Sequence, residues 1–161
     1  MLNITLDVID RRILENLQDD ARMRNVDLAG KVGLSPSPCL RRVGNLEQTG
    51  VIRGYATLLD AEAVGLPVSI FVSVTLEKQV ERALKIFEKH IRARPEVMEC
   101  YLMTGDADYL LRVVTADLAA YEKFLIGHLT RIPGVASIKS SFALKQVAYR
   151  TALPIAPEAA E

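Results

Sequence analysis

Apolar residues fall at helical spacing through the first third of the chain and at alternate positions further on. In LDVIDRRILENLQDD, Ile9, Ile13, Leu14 and Leu17 share one face of a helix, and Asp7 stands at its N-cap with Asp10 three residues on. After ARMR, Asn25 caps a short predicted helix, VDLAGKV, whose Leu28, Ala29 and Val32 form an inner stripe before Gly33 ends it. A third helix follows in LSPSPCLRRVGNLEQTG, read with Leu40 and Val43 inward and stopped by Gly50. Ser35 is favoured as its N-cap, which puts Pro36 and Pro38 in the first turn, where helix N–H groups have no partner to lose. Ser37 is the alternative cap, because a residue before proline resists helical geometry.

Beyond Gly50 the pattern changes. VIRGYATLL reads as a strand or extended connector, and Gly65 and Pro67 mark a boundary. VSIFVSVTL then alternates Val68, Ile70, Val72 and Val74 against Ser69, Ser73 and Thr75, as a half-buried strand does. A helix lined by Val80, Leu84, Phe87 and Ile91 follows, then strands EVMECYLMT and YLLRVVT joined by the turn GDAD. A last helix, capped by Asp117 and lined by Leu118, Tyr121, Leu125 and Leu129, leads into the strand VASIKSSFALKQV. The order βαββαβ predicts a ferredoxin-like sheet with two helices on one face. Its other face is read as too apolar for water, so dimerisation through the sheet is expected. The fold class is therefore α+β: a winged-type helix-turn-helix domain over residues 1–54, a linker over 55–66, a βαββαβ domain over 67–150 and a loosely held tail over 151–161.

Composition narrows the function. The 161 residues are half hydrophobic and a quarter charged, with 20 basic against 20 acidic side chains, so any nucleic-acid contact has to come from a local patch. No apolar run approaches a membrane span and the N-terminus lacks a signal pattern, which predicts a cytoplasmic protein. Cys39 and Cys100 lie far apart without a nearby His pair, a poor basis for a disulfide or metal site, and both are expected to be buried or half-buried. His90 and His128 fall at charged helix ends, where a solvated or dipole-stabilised imidazole is the simpler reading. With no nucleophile–base spacing, metal triad or phosphate loop, neither an enzyme nor a cofactor is expected.

Three helices in this order, the last entered through the tight turn VGLS, match a helix-turn-helix. The expected outward face of the third helix carries Pro38, Arg41, Arg42 and Asn45. Arginine can bridge guanine O6 and N7 or grip phosphate, and Ser35, Ser37 and Asn45 can donate to phosphates or base edges. A solvated helix face would look similar in isolation, but the preceding helices favour DNA.

The run LDVIDRRILENLQDDAR followed by NVDLAGKVGLSPSPCLRRVGNLEQTGVIRGY resembles the DNA-binding half of the Lrp/AsnC family, and the βαββαβ half resembles its regulatory domain. TGDADYLL, residues 104–111, is similar to the family's turn beside the effector site, and PEVMECYLMTGDADYLLRV with SSFALKQV looks nearest to regulators of branched-chain keto-acid dehydrogenase operons. The resemblance implies a transcription regulator of amino-acid metabolism. It implies double-stranded DNA as partner and a homodimer assembling further, commonly to an octamer. A small amino acid is implied as effector, with a branched-chain amino acid or methionine the first expectation. Chemically, Asp106 or Asp108 can pair an ammonium, amides around Gly105 can hold a carboxylate, Thr104 leads into the turn, and Tyr101, Leu102 and Met103 flank it; a plain hairpin turn would use the same Gly and Asp residues. The alternative is a small-molecule-binding regulatory module acting through a protein partner.

Overall fold

In the computed structural model, which describes residues 5–155, Asp7 opens the first helix, α1 (Val8–Asp19), with a reciprocal capping box: its carboxylate accepts from the Asp10 N–H at 2.8 Å, and that of Asp10 accepts from the Asp7 N–H at 3.4 Å. The second helix, α2 (Asn25–Val32), begins one residue earlier than its sequence suggests. Arg24 is the N-cap, and Asn25, expected as cap, instead donates from Nδ2 to the Pro36 carbonyl at 2.8 Å, joining α2 to the third helix. Gly33 ends α2 at φ 75°, a left-handed conformation for which glycine is suited.

The third helix, α3 (Pro36–Gln48), is capped at Ser35, with Pro36 as its first residue. Its rotation differs from the expected one. Cys39 and Leu46 are buried, Val43 is half-buried, and Leu40 faces out with 61% of its surface exposed. At about 100° per residue, Cys39 and Leu46 lie about 20° apart around the axis, whereas Leu40 and Leu46 lie about 120° apart. Burying Leu46 therefore turns Leu40 outward. Together with Ile13 and Leu14 of α1 and Leu28, Ala29 and Val32 of α2, Cys39 and Leu46 form the core of the helical unit.

Among the described residues this unit takes in the chain up to Thr57 and also the segment from Ala148 to Ile155; Leu58–Val147 form a second unit. The tail is held at least as far as residue 155. The Gln18 side chain and the Leu153 backbone exchange two hydrogen bonds, of 3.1 and 2.6 Å, and Ile155 packs on the helical core. The remaining tail residues, 156–161, lie outside the described residues. Residues 53–60 form no regular element, so the possible strand VIRGYATLL is a connector.

The second unit contains β1 (Val68–Leu76), α4 (Glu81–Arg92), β2 (Val97–Leu102), β3 (Tyr109–Thr115), α5 (Leu118–Gly127), a single 3-10 turn (Leu129–Arg131) and β4 (Val135–Phe142). The sheet order is β2-β3-β1-β4 with every pairing antiparallel, as a ferredoxin-like βαββαβ chain requires. Ile70, Val72, Val74 and Leu76 of β1 join Tyr109, Leu111 and Val113 of β3 beneath Phe87, Ile91, Tyr121 and Phe124 of the helices. Val80 and Leu118, expected on the inner helix faces, are exposed; Val80 is the N-cap of α4 and Leu118 begins α5. The opposite sheet face is mixed rather than apolar. Phe71 is 40% exposed and Leu110 half-buried, but Ser69 and Ser73 share that face with a Glu99–Arg112 ion pair of 3.1 Å. Cys39 is buried as expected, whereas Cys100 is exposed.

Candidate DNA-reading face and effector turn

On α3 the exposed residues are Pro36, Ser37, Leu40, Arg41, Asn45, Glu47 and Gln48, with half-buried Gly44 among them; the Glu47 carboxylate on this face accepts from the Tyr55 hydroxyl. Their spacing of three and four residues makes one continuous stripe along the helix. Ser35 and Ser37 are exposed at its entrance and Pro38 is half-buried. The stripe also carries a hydroxyl, a guanidinium and two amides, a set able to grip phosphate oxygens and read base edges. Leu40, Gly44 and Gln48 were not among the expected residues. Taking the buried phase from Leu46 rather than from Leu40 would have found all three.

Arg42 does not belong to that face. Its Nη1 donates to Asp7 Oδ2 at 2.7 Å and to Asp10 Oδ1 at 2.8 Å, so the guanidinium ties α3 to the capping box of α1. Those two carboxylates raise its pKa, Asp10 more than Asp7. The Asp7 carboxyl is correspondingly held below its ordinary 3.8, first by the Asp10 N–H; partial burial opposes this and the Arg42 bond adds to it. The expectation that Arg42 points outward beside Arg41 is thus corrected. Arg41 is the one left pointing outward.

In the second unit the turn between β2 and β3 is closed by the Met103 N–H donating to the Asp108 carbonyl at 2.8 Å. Thr104, Gly105 and Asp106 project from it and are exposed, with Gly105 at φ 121°. Among the described residues the amides of Gly105, Asp106 and Ala107 donate to no backbone acceptor. Tyr101 and Met103 are also exposed, and the Tyr101 hydroxyl donates to Glu99 at 3.0 Å on the mixed sheet face.

Asp108 plays a different part from the one expected. It is 5% exposed, and its carboxylate accepts from the Leu76 N–H at 2.6 Å and from Gln79 Nε2 at 2.5 Å. Its own N–H donates to the Val74 carbonyl at 2.9 Å. Both carboxylate oxygens are therefore engaged in fastening the end of β1, and Asp106 alone of the two aspartates is free to meet a ligand. The histidines are likewise occupied. His90 Nδ1 pairs with the Ile86 carbonyl at 2.7 Å, and His128, which follows α5, accepts from Arg94 at 3.2 Å.

Both candidate surfaces stand out from the chain rather than line a cavity. A hollow of about 190 Å³ among His90, Arg94, His128 and Arg131 involves neither of them. A projecting helix face and an open turn complete a site only against another molecule. For the helix face, a groove supplies that surface; for the turn, a second polypeptide surface would.

Known proteins resemble the chain over nearly its full length. The profile described as Lrp/AsnC ligand binding domain matches residues 69–153, and that of a winged helix-turn-helix DNA-binding domain matches residues 6–53. The chain is 56% identical over 150 residues to the Bkd operon transcriptional regulator of Pseudomonas aeruginosa, spanning 93% of this chain and 98% of that protein. It is 42% identical over 147 residues to the leucine-responsive regulatory protein of Rhizobium meliloti, spanning 91% and 94%. Among solved structures, a transcriptional regulator of Neisseria meningitidis in complex with L-Met matches with a TM-score of 0.88 at 41% identity, over 93% of this chain and 97% of that one. AsnC of E. coli matches with a TM-score of 0.84 at 26% identity, over 92% and 98%.

Proposed function

The chain belongs to the Lrp/AsnC family and is a DNA-binding transcription regulator, and from that premise we propose how it recognises DNA and what it senses. The third helix enters the major groove. Ser35, Ser37 and Pro38 lie at its tip, while Arg41 and Asn45 reach bases or phosphates one and two turns in. The single observation that carries this reading is the exposed stripe on α3, which retains Arg41 and Asn45 while Arg42 is withdrawn into an ion pair.

The effector is an amino acid held at the turn between β2 and β3. Asp106 pairs its ammonium, the amides about Gly105 hold its carboxylate, and Thr104, Met103 and Tyr101 border its side chain. A branched-chain amino acid or methionine is favoured. The Bkd operon regulator and the L-Met complex among its relatives support that choice. An open turn needs a second surface to enclose a ligand, which favours a homodimer built through the mixed sheet face and a further assembly, an octamer, that brings turns against neighbouring copies. Effector and DNA then influence each other only as far as each binds two assembly states unequally.

Arg41→Ala tests the DNA reading. Affinity for a bound duplex should fall by about 1–3 kcal/mol if Arg41 reads a base, or lose about one unit of salt slope if it grips phosphate. Unchanged binding and slope would refute it. For the effector, a thermal-shift screen over the twenty amino acids should show one class stabilising the wild type but not Asp106→Ala, with DNA binding retained. An unaltered response in the variant would remove the turn from the effector site.

A further inference from the structure

We propose that Leu40 is a specificity residue which reads the methyl group of a thymine, and that Gly44, one turn on, is the notch that lets α3 approach closely enough for it to do so. The inference rests on the reading of α3 as the recognition helix and adds the base to which it responds.

Leu40 is 61% exposed on a helix whose other large apolar side chains are buried or half-buried. It sits within the stripe between Ser37, one turn before it, and Gly44, one turn after it, with Arg41 alongside. Beyond the first turn, where the Pro36 ring is also exposed, it is the one exposed side chain on that stripe that can neither donate nor accept a hydrogen bond. In the major groove three of the four bases offer only polar edges to such a group, and thymine alone adds a methyl. A leucine surrounded by donors therefore supplies the one contact that the donors cannot make.

Gly44 is a second observation on the same stripe. Its φ is not positive, and a Cβ built there would meet nothing within 4 Å, so neither the backbone nor the packing of this chain requires glycine. Glycine in the middle of a helix weakens the helix. On the outward face its benefit lies outside the chain: no side chain stands between the helix backbone and whatever α3 faces. Leu40 and Gly44, four residues apart, present a knob beside a gap.

To test this, the full-length protein first selects its tightest duplex from a random-sequence library. Each thymine of that duplex is then replaced singly by deoxyuridine, which removes only the methyl group. Affinity is measured by fluorescence anisotropy at fixed salt. For the wild type, one thymine position should lose about fourfold in affinity, the factor that corresponds to about 0.8 kcal/mol for one buried methyl group. Leu40→Ala should bind the thymine duplex several-fold more weakly and show no loss on uracil substitution at that position. Arg41→Ala should bind more weakly but keep the fourfold thymine-to-uracil ratio. Gly44→Ala should lose both affinity and discrimination while remaining folded.

Equal binding by the wild type to every uracil-substituted duplex would overturn the proposal, as would a Leu40→Ala variant that keeps the wild-type ratio. A Leu40→Ala variant that binds DNA normally but changes oligomeric state would assign the leucine to a protein contact instead. Gly44→Ala with wild-type affinity and ratio would remove the notch. If Arg41→Ala also binds with undiminished affinity and slope, or no duplex is selected, it is the recognition-helix reading that fails, and the thymine contact with it.

Discussion

Replacing Arg42 by alanine should destabilise the helical unit and leave the DNA affinity of the folded protein near that of the wild type. The guanidinium gives two charge-assisted bonds, at 2.7 Å to Asp7 and 2.8 Å to Asp10. Solvent screens them unequally. The Arg42 side chain is 32% exposed and that of Asp10 only 16%, whereas that of Asp7 is 49% exposed. Exposed ion pairs contribute about 0–1 kcal/mol and hydrogen bonds to charged groups up to about 1.5–3 kcal/mol, so the Asp7 bond falls in the lower range and the Asp10 bond between the two. The sum is about 2 kcal/mol, which in a unit of this size lowers Tm by on the order of 10 °C. Both bonds leave the same nitrogen, Nη1, so Arg42→Lys should recover a good part of the loss. The pH dependence has a definite sign. The Asp7 carboxyl lies below 3.8 in the folded chain, so its contribution is full above that value and is lost as pH falls through the lowered pKa. The difference between wild type and Arg42→Ala should accordingly persist at neutral pH and narrow only in strong acid. The Asp10 N–H, the largest cause of the Asp7 shift, is present in both proteins and cancels from the comparison, so only the part due to Arg42 makes their pH profiles differ. Urea and thermal denaturation, followed by salt-dependent DNA titration of the folded variant, measure all of this. A variant that melts like the wild type but binds DNA with a flatter salt slope would put Arg42 on the DNA and refute the argument.

Two further outcomes concern groups with structural partners. Asp108→Ala leaves the Leu76 N–H without its carboxylate, so the sheet unit should lose about 1–3 kcal/mol, with the Leu76 amide exchanging faster; Asp108→Asn, which keeps an acceptor, should lose less. A wild-type melting curve for Asp108→Ala would show that the buried carboxylate contributes nothing there. Ile155→Ala should weaken the helical unit by about 1 kcal/mol, seen as faster hydrogen exchange along α1, and a chain ending at Val147 should lose more because the Gln18–Leu153 bonds go with it. Unaltered exchange in the shortened chain would show that the segment rests on α1 without supporting it.

The elements legible in the sequence are those whose signal is local. Strand β1 could be read because Val68, Ile70, Val72 and Val74 alternate with polar residues over a full strand length, and α1 because its N-cap and capping partner are three residues apart. The failures share a different cause. Placing Leu40 and Val43 inward fits the local pattern, but the phase of a short helix is set by all its buried positions together, and Cys39 and Leu46 fix it here. Arg42 and Arg41 are identical neighbours, and their separation into structural and outward roles depends on carboxylates 32 and 35 residues away. Asp106 and Asp108 are alike in composition. They are told apart by the pairing of Val74 with Tyr109, which sets Asp108 against the end of β1.

The C-terminal segment bears on how such a regulator can couple its two functions. Because the helical unit includes residues on both sides of the sheet unit in sequence, the chain passes between the units twice, after Thr57 and after Val147. A single flexible connector transmits little beyond distance, since each of its residues can absorb a rotation. Here each connection is fastened on the helical side. The Tyr55 hydroxyl donates to Glu47 of α3 at 2.8 Å, and Leu153 is bonded to Gln18 of α1. The two connections are the covalent routes from the sheet unit to the helix bearing Arg41, and on the proposed reading cutting either should reduce the effector's influence on DNA affinity more than it reduces the affinity itself.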